Sequence, residues 1–597
     1  MNPNVGLVDA AYVFYGLVYD TPQCLDEDLN IVNNLCVDSY VDPDYEPYGS
    51  VWTWELTQNA KWHDGERFDA DDVVFTINLN ADNYAQMWAY QPYAYYMDYA
   101  EKVDAYTVRV HYYDRATDEP IPAAYARLVC IPMMPEHMLG EWSAADIGFD
   151  WEGVFEDSDP PIVGTGPFMA TDRIYAEFLK GDKLTLVRNP DYHWGPERDR
   201  EVSFDQLELH FYDDTTAMAY ALENGELDVA QFPPQEFVSI RGKVESGALS
   251  DVVTHNSPKC TQYWSEVNFN MNNAGPNPSR LDVVIRRACT MATDLSYIND
   301  NFYLGLGEPG TTLIPPINEE WHYEPPAEDI YGYDMAAANQ LLEDNGYRYT
   351  PESPNVRVAT ADSAAVKEGF VAEGTQLVYE LAVRQEAPEE KDIALYLESE
   401  WAKIGVDLEV QIMTEAALGA LTYGYAYDIT MWYWSADVDP MYMLFCQSRV
   451  SWNGWSDNMY YNPEYEQNFT SSVREFDEEV RRQYVHNCQK IHYEDAVYVV
   501  INYVHQTYAW RTDTFSGWGD WELHPGRSVD NFWTANPLYF DLEYIGESEI
   551  SIPWTGIAIG LGVIAAVAVA AVVFTLKRKG RKGGTKKEEA SPFGERD

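Results

Sequence analysis

Positive charge is scarce in this sequence. Its 597 residues include 39 Lys and Arg against 98 Asp and Glu, a net charge of −59 at neutral pH. A surface so rich in carboxylates repels a phosphate backbone, so the composition excludes a nucleic-acid partner. The same acidic surface indicates a habitat of high salt, which screens repulsion between carboxylates, or of low pH, which neutralises them.

Recognisable catalytic motifs are also lacking. The sequence contains no P-loop and no Gly-x-Ser-x-Gly, and its 11 His include no pair at the spacing of a zinc-protease helix. A secreted hydrolase is therefore disfavoured. We predict that the protein is not an enzyme and that it needs neither a cofactor nor a metal.

Cysteine is sparse, with seven residues in the whole chain. An odd number leaves at least one Cys unpaired within the chain. Cys24 and Cys36 are close enough in sequence to close a short disulfide loop in an oxidising location. Cys289 and Cys488 occupy apolar positions of predicted helices, where we expect them to act as small core residues.

Apolar side chains that can be buried in a core are, by contrast, plentiful. Apolar residues make up 46% of the chain and aromatic residues 14%. This is too much for a disordered acidic chain, and the length predicts several packed lobes.

One uncharged stretch, residues 557–576 (IAIGLGVIAAVAVAAVVFTL), is long enough to cross a bilayer as a helix. A short linker, residues 549–556, precedes it. The tail, residues 577–597, is rich in Lys and Arg and is predicted to be cytoplasmic. The sequence therefore predicts a C-terminal membrane anchor with the bulk of the chain extracellular. The first residues show no export signal, so we expect one to be encoded upstream.

Strand and helix patterns alternate along the rest of the chain, which predicts a mixed α/β class. Residues 51–56 alternate as a strand, and Asp69 is a suitable N-cap for a helix. Asp214 and Asp334 are predicted to cap two further helices, the first ending at Gly225. The segment 473–492 is predicted to bury, among others, Phe476 and Val480.

Seven segments resemble, in family order, the peptide and nickel class of ABC-transporter solute-binding proteins, extracellular solute-binding protein family 5. They are 61–75 (KWHDGERFDADDVVF), 164–168 (GTGPF), 188–192 (RNPDY), 224–228 (NGELD), 286–294 (RRACTMATD), 401–406 (WAKIGV) and 434–440 (WSADVDP). The C-terminal anchor departs from the bacterial pattern of a lipidated N-terminal Cys. It is similar to the tethering of some archaeal binding proteins.

The resemblance implies a two-lobed periplasmic-binding-protein-like α/β fold of type II with an extra subdomain. Lobe I would comprise residues 1–45, 163–268 and 505–548, the extra subdomain residues 46–162, and lobe II residues 269–504. Closure about a hinge near residues 268–271 and 499–504 would bury the ligand between the lobes. The implied partners are a peptide or other small solute and the permease subunits of an ABC importer.

Four ligand-binding residues follow from the resemblance. Asp437 would accept the α-ammonium of a peptide, although it could equally be a turn residue ahead of Asp439. Arg384 would bind the peptide carboxylate, unless it forms a surface salt bridge with Glu386. Trp434 and Trp432 would supply flat apolar walls, although an aromatic run in a strand is also typical of ordinary core packing.

The substrate stays open at this point. The family also contains nickel-chelate and oligosaccharide binders, and aromatic walls could stack on sugar rings. A function of a different class is a surface-coat protein that reuses the fold. Self-association without ligand-linked closure would distinguish it.

The apolar stretch and its basic flank predict a topology that intact cells can test. Protease added outside should remove the bulk of the chain, while the tail after Lys577 stays protected by the membrane. Immunoblotting with an antibody against the last residues measures this protection. Staining of unpermeabilised cells by the same antibody would contradict the predicted orientation.

Overall fold

A computed structural model describes residues 2–545 except 7–8, 156–158, 194–200, 213, 436, 453, 528 and 530–536. The predicted linker, membrane helix and basic tail (residues 549–556, 557–576 and 577–597) lie outside these residues. Within the described ranges, no helix combines the length and the apolar character needed to cross a bilayer.

The α-helices of the described chain are α1 Asp9–Val18, α2 Ala70–Asp82, α3 Gln91–Ala94, α4 Glu136–Leu139, α5 Ala144–Phe149, α6 Trp151–Val154, α7 Ile174–Lys180, α8 Thr215–Asn224, α9 Pro234–Glu245, α10 Val283–Met291, α11 Leu295–Asn301, α12 Met335–Asp344, α13 Ala364–Lys367, α14 Pro388–Ala402, α15 Glu415–Tyr423, α16 Met441–Cys446, α17 Pro463–Arg474, α18 Glu478–Glu494 and α19 Pro537–Asp541. The class is α/β, because strands alternate with these helices.

The strands are β1 Gln23–Leu25, β2 Ile31–Asn33, β3 Cys36–Val41, β4 Val51–Leu56, β5 Met97–Asp104, β6 Thr107–Asp114, β7 Glu119–Pro120, β8 Phe168–Ala170, β9 Lys183–Arg188, β10 Gln206–His210, β11 Val229–Gln231, β12 Val252–Phe269, β13 Gly307–Pro309, β14 Tyr347–Arg348, β15 Val358–Ala359, β16 Val378–Arg384, β17 Asp407–Met413, β18 Ile429–Ser435, β19 Tyr498–Arg511, β20 Phe515–Ser516 and β21 Glu543–Tyr544.

The largest sheet has the order β11-β19-β12-β18-β16-β17, with β13 added beside β19. Strands β16, β17 and β18 pair in parallel, while β12 and β19 pair antiparallel along most of their length. An antiparallel sheet, β3-β4-β6-β5 with β7 beside β6, and a smaller one, β10-β9-β8, are built from earlier parts of the chain. The two long strands therefore join chain regions far apart in sequence.

Three of the apolar cores in the described part of the chain lie around this framework. One joins residues of the β3–β6 sheet to helices α16, α17 and α18. A second packs α10, α12 and α14 against β16 and β18, and its Phe269 and Trp401 rings stack 6.0 Å apart. A third, smaller core holds α8 and α9 against β12 and β19. Separate cores on either side of two connecting strands are the physical basis of separate lobes.

The predicted strand and capped helix in the first matching segment are confirmed as β4 and α2. Asp69 caps α2 in a capping box with Asp72. The Trp62 indole N–H donates to the same Asp72 carboxylate at 3.1 Å. The predicted caps Asp214 and Asp334 are confirmed at α8 and α12, and Gly225 ends α8 with φ +77°, a conformation that favours glycine.

The burial predicted for Phe476 and Val480 is wrong, because the segment is divided between two helices. Helix α17 ends at Arg474, Glu475 is extended, and Asp477 caps the new helix α18. Phe476 is consequently 37% exposed and Val480 40% exposed. Because a new helix begins at the Asp477 cap, the apolar positions of α17 and α18 do not share one continuous face, and Phe476 and Val480 lie toward solvent.

The disulfide considered for Cys24 and Cys36 is not formed in the structure, where both thiols are buried. Each lies at a strand, β1 and β3 respectively, and the Cys36 sulfur accepts a hydrogen bond from the Gln23 side chain at 3.7 Å. Cys289 and Cys488 are fully buried, as expected of small core residues.

A fully buried ion pair anchors the second core. The guanidinium of Arg280 lies 2.9 Å from the carboxylate of Asp428, and its Nε donates to the Asn270 carbonyl at 2.8 Å. Asp428 also accepts the backbone N–H of Asn277 at 2.7 Å. Removing one partner of such a pair leaves a buried charge uncompensated.

We expect Arg280→Met to lower the free energy of unfolding by about 3–5 kcal/mol, because Asp428 would stay buried without its cation. Urea titration measures the loss. Arg348→Met is the matched control: Arg348 is 46% exposed and lies 3.6 Å from Glu343 and Asp362, so its loss should cost about 1 kcal/mol or less. Equal costs for the two variants would contradict this assignment.

Candidate functional site

A cavity of about 520 Å³ lies where the long strands meet the second and third cores. Its walls come from the start of α9, from β12 and β19, from the connection between α11 and β13, and from the junction of β16 and α14. A cavity of this size is in the range of about 300–1,000 Å³ typical of small-ligand sites. We take it as the candidate ligand site.

Arg384, the last residue of β16, lines this cavity but is already engaged. Its Nε lies 3.1 Å from both carboxylate oxygens of Glu390, and its Nη2 also pairs with that carboxylate. The guanidinium lies 4.2 Å from the centre of the Tyr433 ring. Although burial lowers the pKa of Arg384, the charge of Glu390 raises it well above its ordinary value. The salt bridge considered with Glu386 is therefore made with the buried Glu390.

Glu389, beside Glu390 in the first turn of α14, also lines the cavity. Within the described chain its carboxylate forms no salt bridge. Burial raises the pKa of Glu389, and the carboxylate of Glu236 on α9 raises it too, while a backbone hydrogen bond and the charges of Arg384 and Lys391 lower it. Among the described residues, the cavity wall therefore contains the ion pair of Arg384 with Glu390 and one further carboxylate, Glu389, that forms no salt bridge.

The aromatic run at the end of β18 contributes Tyr433 to the cavity wall. Trp432 is half-buried, with the guanidinium of Arg384 lying 5.6 Å from its ring centre. Trp434 is buried against Trp455, and its indole N–H donates to Asp457 at 3.2 Å. Trp432 and Trp434 lie beside the cavity and outside its wall, so their ligand role stays a prediction.

Asp437 is not among the residues that line the cavity. It is 2% exposed, and its carboxylate accepts the hydroxyl of Tyr93 and, at 2.6 Å, the N–H of Val438. Tyr93 belongs to α3, so this bond joins parts of the chain 344 residues apart. Burial raises the pKa of Asp437 to about 7, although the bond from Tyr93 lowers it.

Several buried polar atoms near the cavity lack a hydrogen-bond partner among the described residues. They include the indole nitrogen of Trp264, Nε2 of His505 and both carboxylate oxygens of Glu266. Trp264 and His505 line the cavity. Burial raises the pKa of Glu266 well above its ordinary value, as do the nearby carboxylates of Asp457 and Glu390. Nothing in their sequence context distinguishes these positions from strand core, so sequence reasoning missed them.

A cavity beside two long connecting strands, with unsatisfied polar groups on its wall, is typical of a binding protein. The family model described as "Bacterial extracellular solute-binding proteins, family 5 Middle" matches residues 35–455 of this chain. The chain belongs to this family.

Two curated relatives illustrate the similarity. Di/tripeptide-binding protein 1 of Pseudomonas aeruginosa is 25% identical over 410 residues, which is 65% of each chain. A putative ABC transporter peptide-binding protein of Brucella ovis is 27% identical over 334 residues, 55% of each chain. The matched part thus spans less than two thirds of the length of these relatives.

Solved structures share the fold. The oligopeptide-binding protein AppA of Bacillus subtilis, in complex with a nonapeptide, superposes with a TM-score of 0.69 at 19% identity, covering 89% of this chain and 95% of that one. NikZ of Campylobacter jejuni, in complex with Ni(L-His), gives 0.68 at 18% identity, covering 87% and 92%. The chain therefore has the two-lobed α/β fold of periplasmic binding proteins.

Tyr93→Phe should weaken the fold more at about pH 8 than at about pH 5, because the Tyr93 hydroxyl stabilises the ionised Asp437. The folded pKa of Asp437 is raised to about 7, so stability falls as pH rises through that value. Loss of the donor raises this pKa further, so the fall in stability extends to higher pH. We expect a loss of about 1–3 kcal/mol at the higher pH, measured by urea titration.

Tyr90→Phe is the matched control for this measurement. Tyr90 is equally buried on the neighbouring turn, and its hydroxyl has no hydrogen-bond partner in the described part of the chain. Its removal should leave the pH dependence unchanged. The same pH dependence in both variants would contradict a stabilising Tyr93–Asp437 bond.

Proposed function

We propose that this chain is the extracellular solute-binding component of an ABC importer, which captures short peptides and delivers them to the membrane permease. The observation that carries the proposal is the cavity of about 520 Å³ whose wall combines α9, the crossing strands and the start of α14. A ligand there contacts elements from separate cores, so binding favours the closed arrangement of the lobes. Capture of this kind involves no covalent step.

The names of the relatives support a peptide as the ligand. The Pseudomonas relative is named a di/tripeptide-binding protein, and the AppA structure contains a nonapeptide. The NikZ structure contains nickel with histidine, which supports a chelate as the second candidate. No group of three His, Cys, Asp or Glu side chains that could hold a metal ion is found among the described residues.

We propose the domain division that the sequence resemblance implies. Lobe I comprises residues 1–45, 163–268 and 505–548, the extra subdomain 46–162, and lobe II 269–504. The strands β12 and β19 cross near the proposed hinge, which supports this division. The apolar stretch 557–576 is proposed to anchor the chain at the cell surface, as in the archaeal type of tethering, beside the permease.

Asp437 and Arg384 are proposed to bind the two ends of a peptide, as members of the family do. In the structure the carboxylate of Asp437 is hydrogen-bonded to Tyr93, and the guanidinium of Arg384 is paired with Glu390. A ligand ammonium would therefore replace the Tyr93 hydroxyl as the donor to Asp437. A ligand carboxylate would compete with Glu390 for Arg384.

We expect Asp437→Ala to weaken binding of a short peptide by about 2–5 kcal/mol, a loss of more than tenfold, because the ligand ammonium loses its charged acceptor. Calorimetry with defined tripeptides measures this. Peptides with an acetylated N-terminus should bind poorly to both forms. Asp300→Ala, which removes an exposed carboxylate in the proposed lobe II, is the control and should bind as the wild type does.

Wild-type affinity in Asp437→Ala, or equal binding of acetylated peptides, would contradict the ammonium assignment. Absence of binding of any peptide by the wild type, with binding of a nickel chelate, would replace the proposed substrate class. Self-association without any ligand would favour the surface-coat alternative.

A further inference from the structure

The cavity has more negative than positive charge available to a ligand. Among the described residues that line the cavity, Arg384 is the one with a positive charge. Its contact with both carboxylate oxygens of Glu390 neutralises this charge. The stacking of the guanidinium on Tyr433 holds it further in place. Glu389 remains, half-buried on the cavity wall and without a salt bridge in the described chain.

A second carboxylate lies near Glu389 from another part of the chain. Glu236 on α9 accepts the hydroxyl of Thr215, a wall residue, at 2.9 Å, and it interacts electrostatically with Glu389. The two carboxylates repel each other, and a cation bound to Glu389 at the cavity wall relieves this repulsion.

Two further wall residues indicate that the cavity accommodates a polar ligand. Trp264 is fully buried and His505 is 8% exposed, yet Nε1 of the first and Nε2 of the second lack partners among the described residues. Buried polar atoms are almost always hydrogen-bonded, so unsatisfied ones at a cavity mark positions where a ligand or water supplies the partner. The indole N–H can only donate a hydrogen bond. It is therefore suited to a peptide carbonyl, which accepts one.

We propose that Glu389 binds a cationic group of the ligand, so that the protein prefers short peptides with a lysine or arginine side chain. This proposal rests on the peptide-binding function proposed above and names the substrate class for the same site. The acidic residues flanking the cavity exclude a second ligand carboxylate by like-charge repulsion. A simpler role for Glu389, stabilising the N-terminus of α14 through the helix dipole, would affect stability without affecting the choice of peptide.

The experiment compares three tripeptides that differ only at the middle residue: Ala-Lys-Ala, Ala-Met-Ala and Ala-Glu-Ala. Glu389→Gln keeps the shape of the side chain and removes its charge. We expect it to bind Ala-Lys-Ala about 10- to 100-fold more weakly than the wild type does, and Ala-Met-Ala within about twofold. Calorimetry gives the affinities, and urea titration reports the stability of each variant.

Asp392→Asn is the matched control, since Asp392 is an exposed carboxylate one turn further along α14 and outside the cavity wall. Its affinity for all three peptides should equal that of the wild type. A second variant, Glu389→Lys, should reverse the preference and bind Ala-Glu-Ala better than Ala-Lys-Ala. This reversal cannot arise from a general loss of stability.

Equal affinity of the wild type for the lysine and methionine peptides, or equal losses for both in Glu389→Gln, would overturn the assignment of Glu389. In that case binding of Ala-Met-Ala by the wild type would leave the proposed peptide function standing. If the wild type bound none of the peptides, the proposed function would fail and the assignment with it.

Discussion

The long pairing between β12 and β19 is the constraint on which the rest of the described molecule depends. The two strands pair from Val252 with Arg511 to Asn268 with Tyr498, and the register shifts between Ser265 and Glu266. At such a bulge the strand bends and a side chain is re-aimed. The wall residues Trp264, Ser265 and His505 all lie on these strands, so the pairing that joins the two sides of the molecule also shapes its cavity.

The scarcity of basic residues has a structural counterpart in how buried carboxylates are compensated. Arg280, Arg384 and Arg481 each pair with one buried carboxylate, those of Asp428, Glu390 and Asp439. Asp457 depends on neutral donors, Tyr498 at 2.6 Å and Trp434 at 3.2 Å. Neutral donors compensate a charge less fully than a cation does, and burial accordingly raises the pKa of Asp457 to about 6.

Local features could be predicted from the sequence because they depend on neighbouring residues. The alternation of β4, the cap at Asp69 and the left-handed Gly225 are examples. The segments that resemble the family made it possible to predict the fold class and the family as well. The capping role of Asp477, which divides α17 from α18, is also local, and the apolar pattern of that segment concealed it.

The site could be predicted only in part, because it depends on contacts between distant residues. Arg384, which the resemblance singles out, lies on the cavity wall, but its partner Glu390 depends on how α14 begins. Tyr93 and Asp437 are 344 positions apart, and nothing in either local sequence indicates the other. Unsatisfied atoms such as the Trp264 nitrogen emerge only when the whole set of donors and acceptors has been placed.

The bond from Tyr93 to Asp437 also affects the thermodynamics of any ligand that reaches this carboxylate. The hydroxyl is an internal competitor, so binding there is an exchange of one donor for another and its free energy is a difference between two bonds. A ligand ammonium prevails through its charge, whereas a neutral donor gains almost nothing from the exchange. If a ligand ammonium binds Asp437 as proposed, the selectivity at this position would originate in Tyr93, because an uncharged solute would have to replace its hydroxyl without gaining a stronger bond.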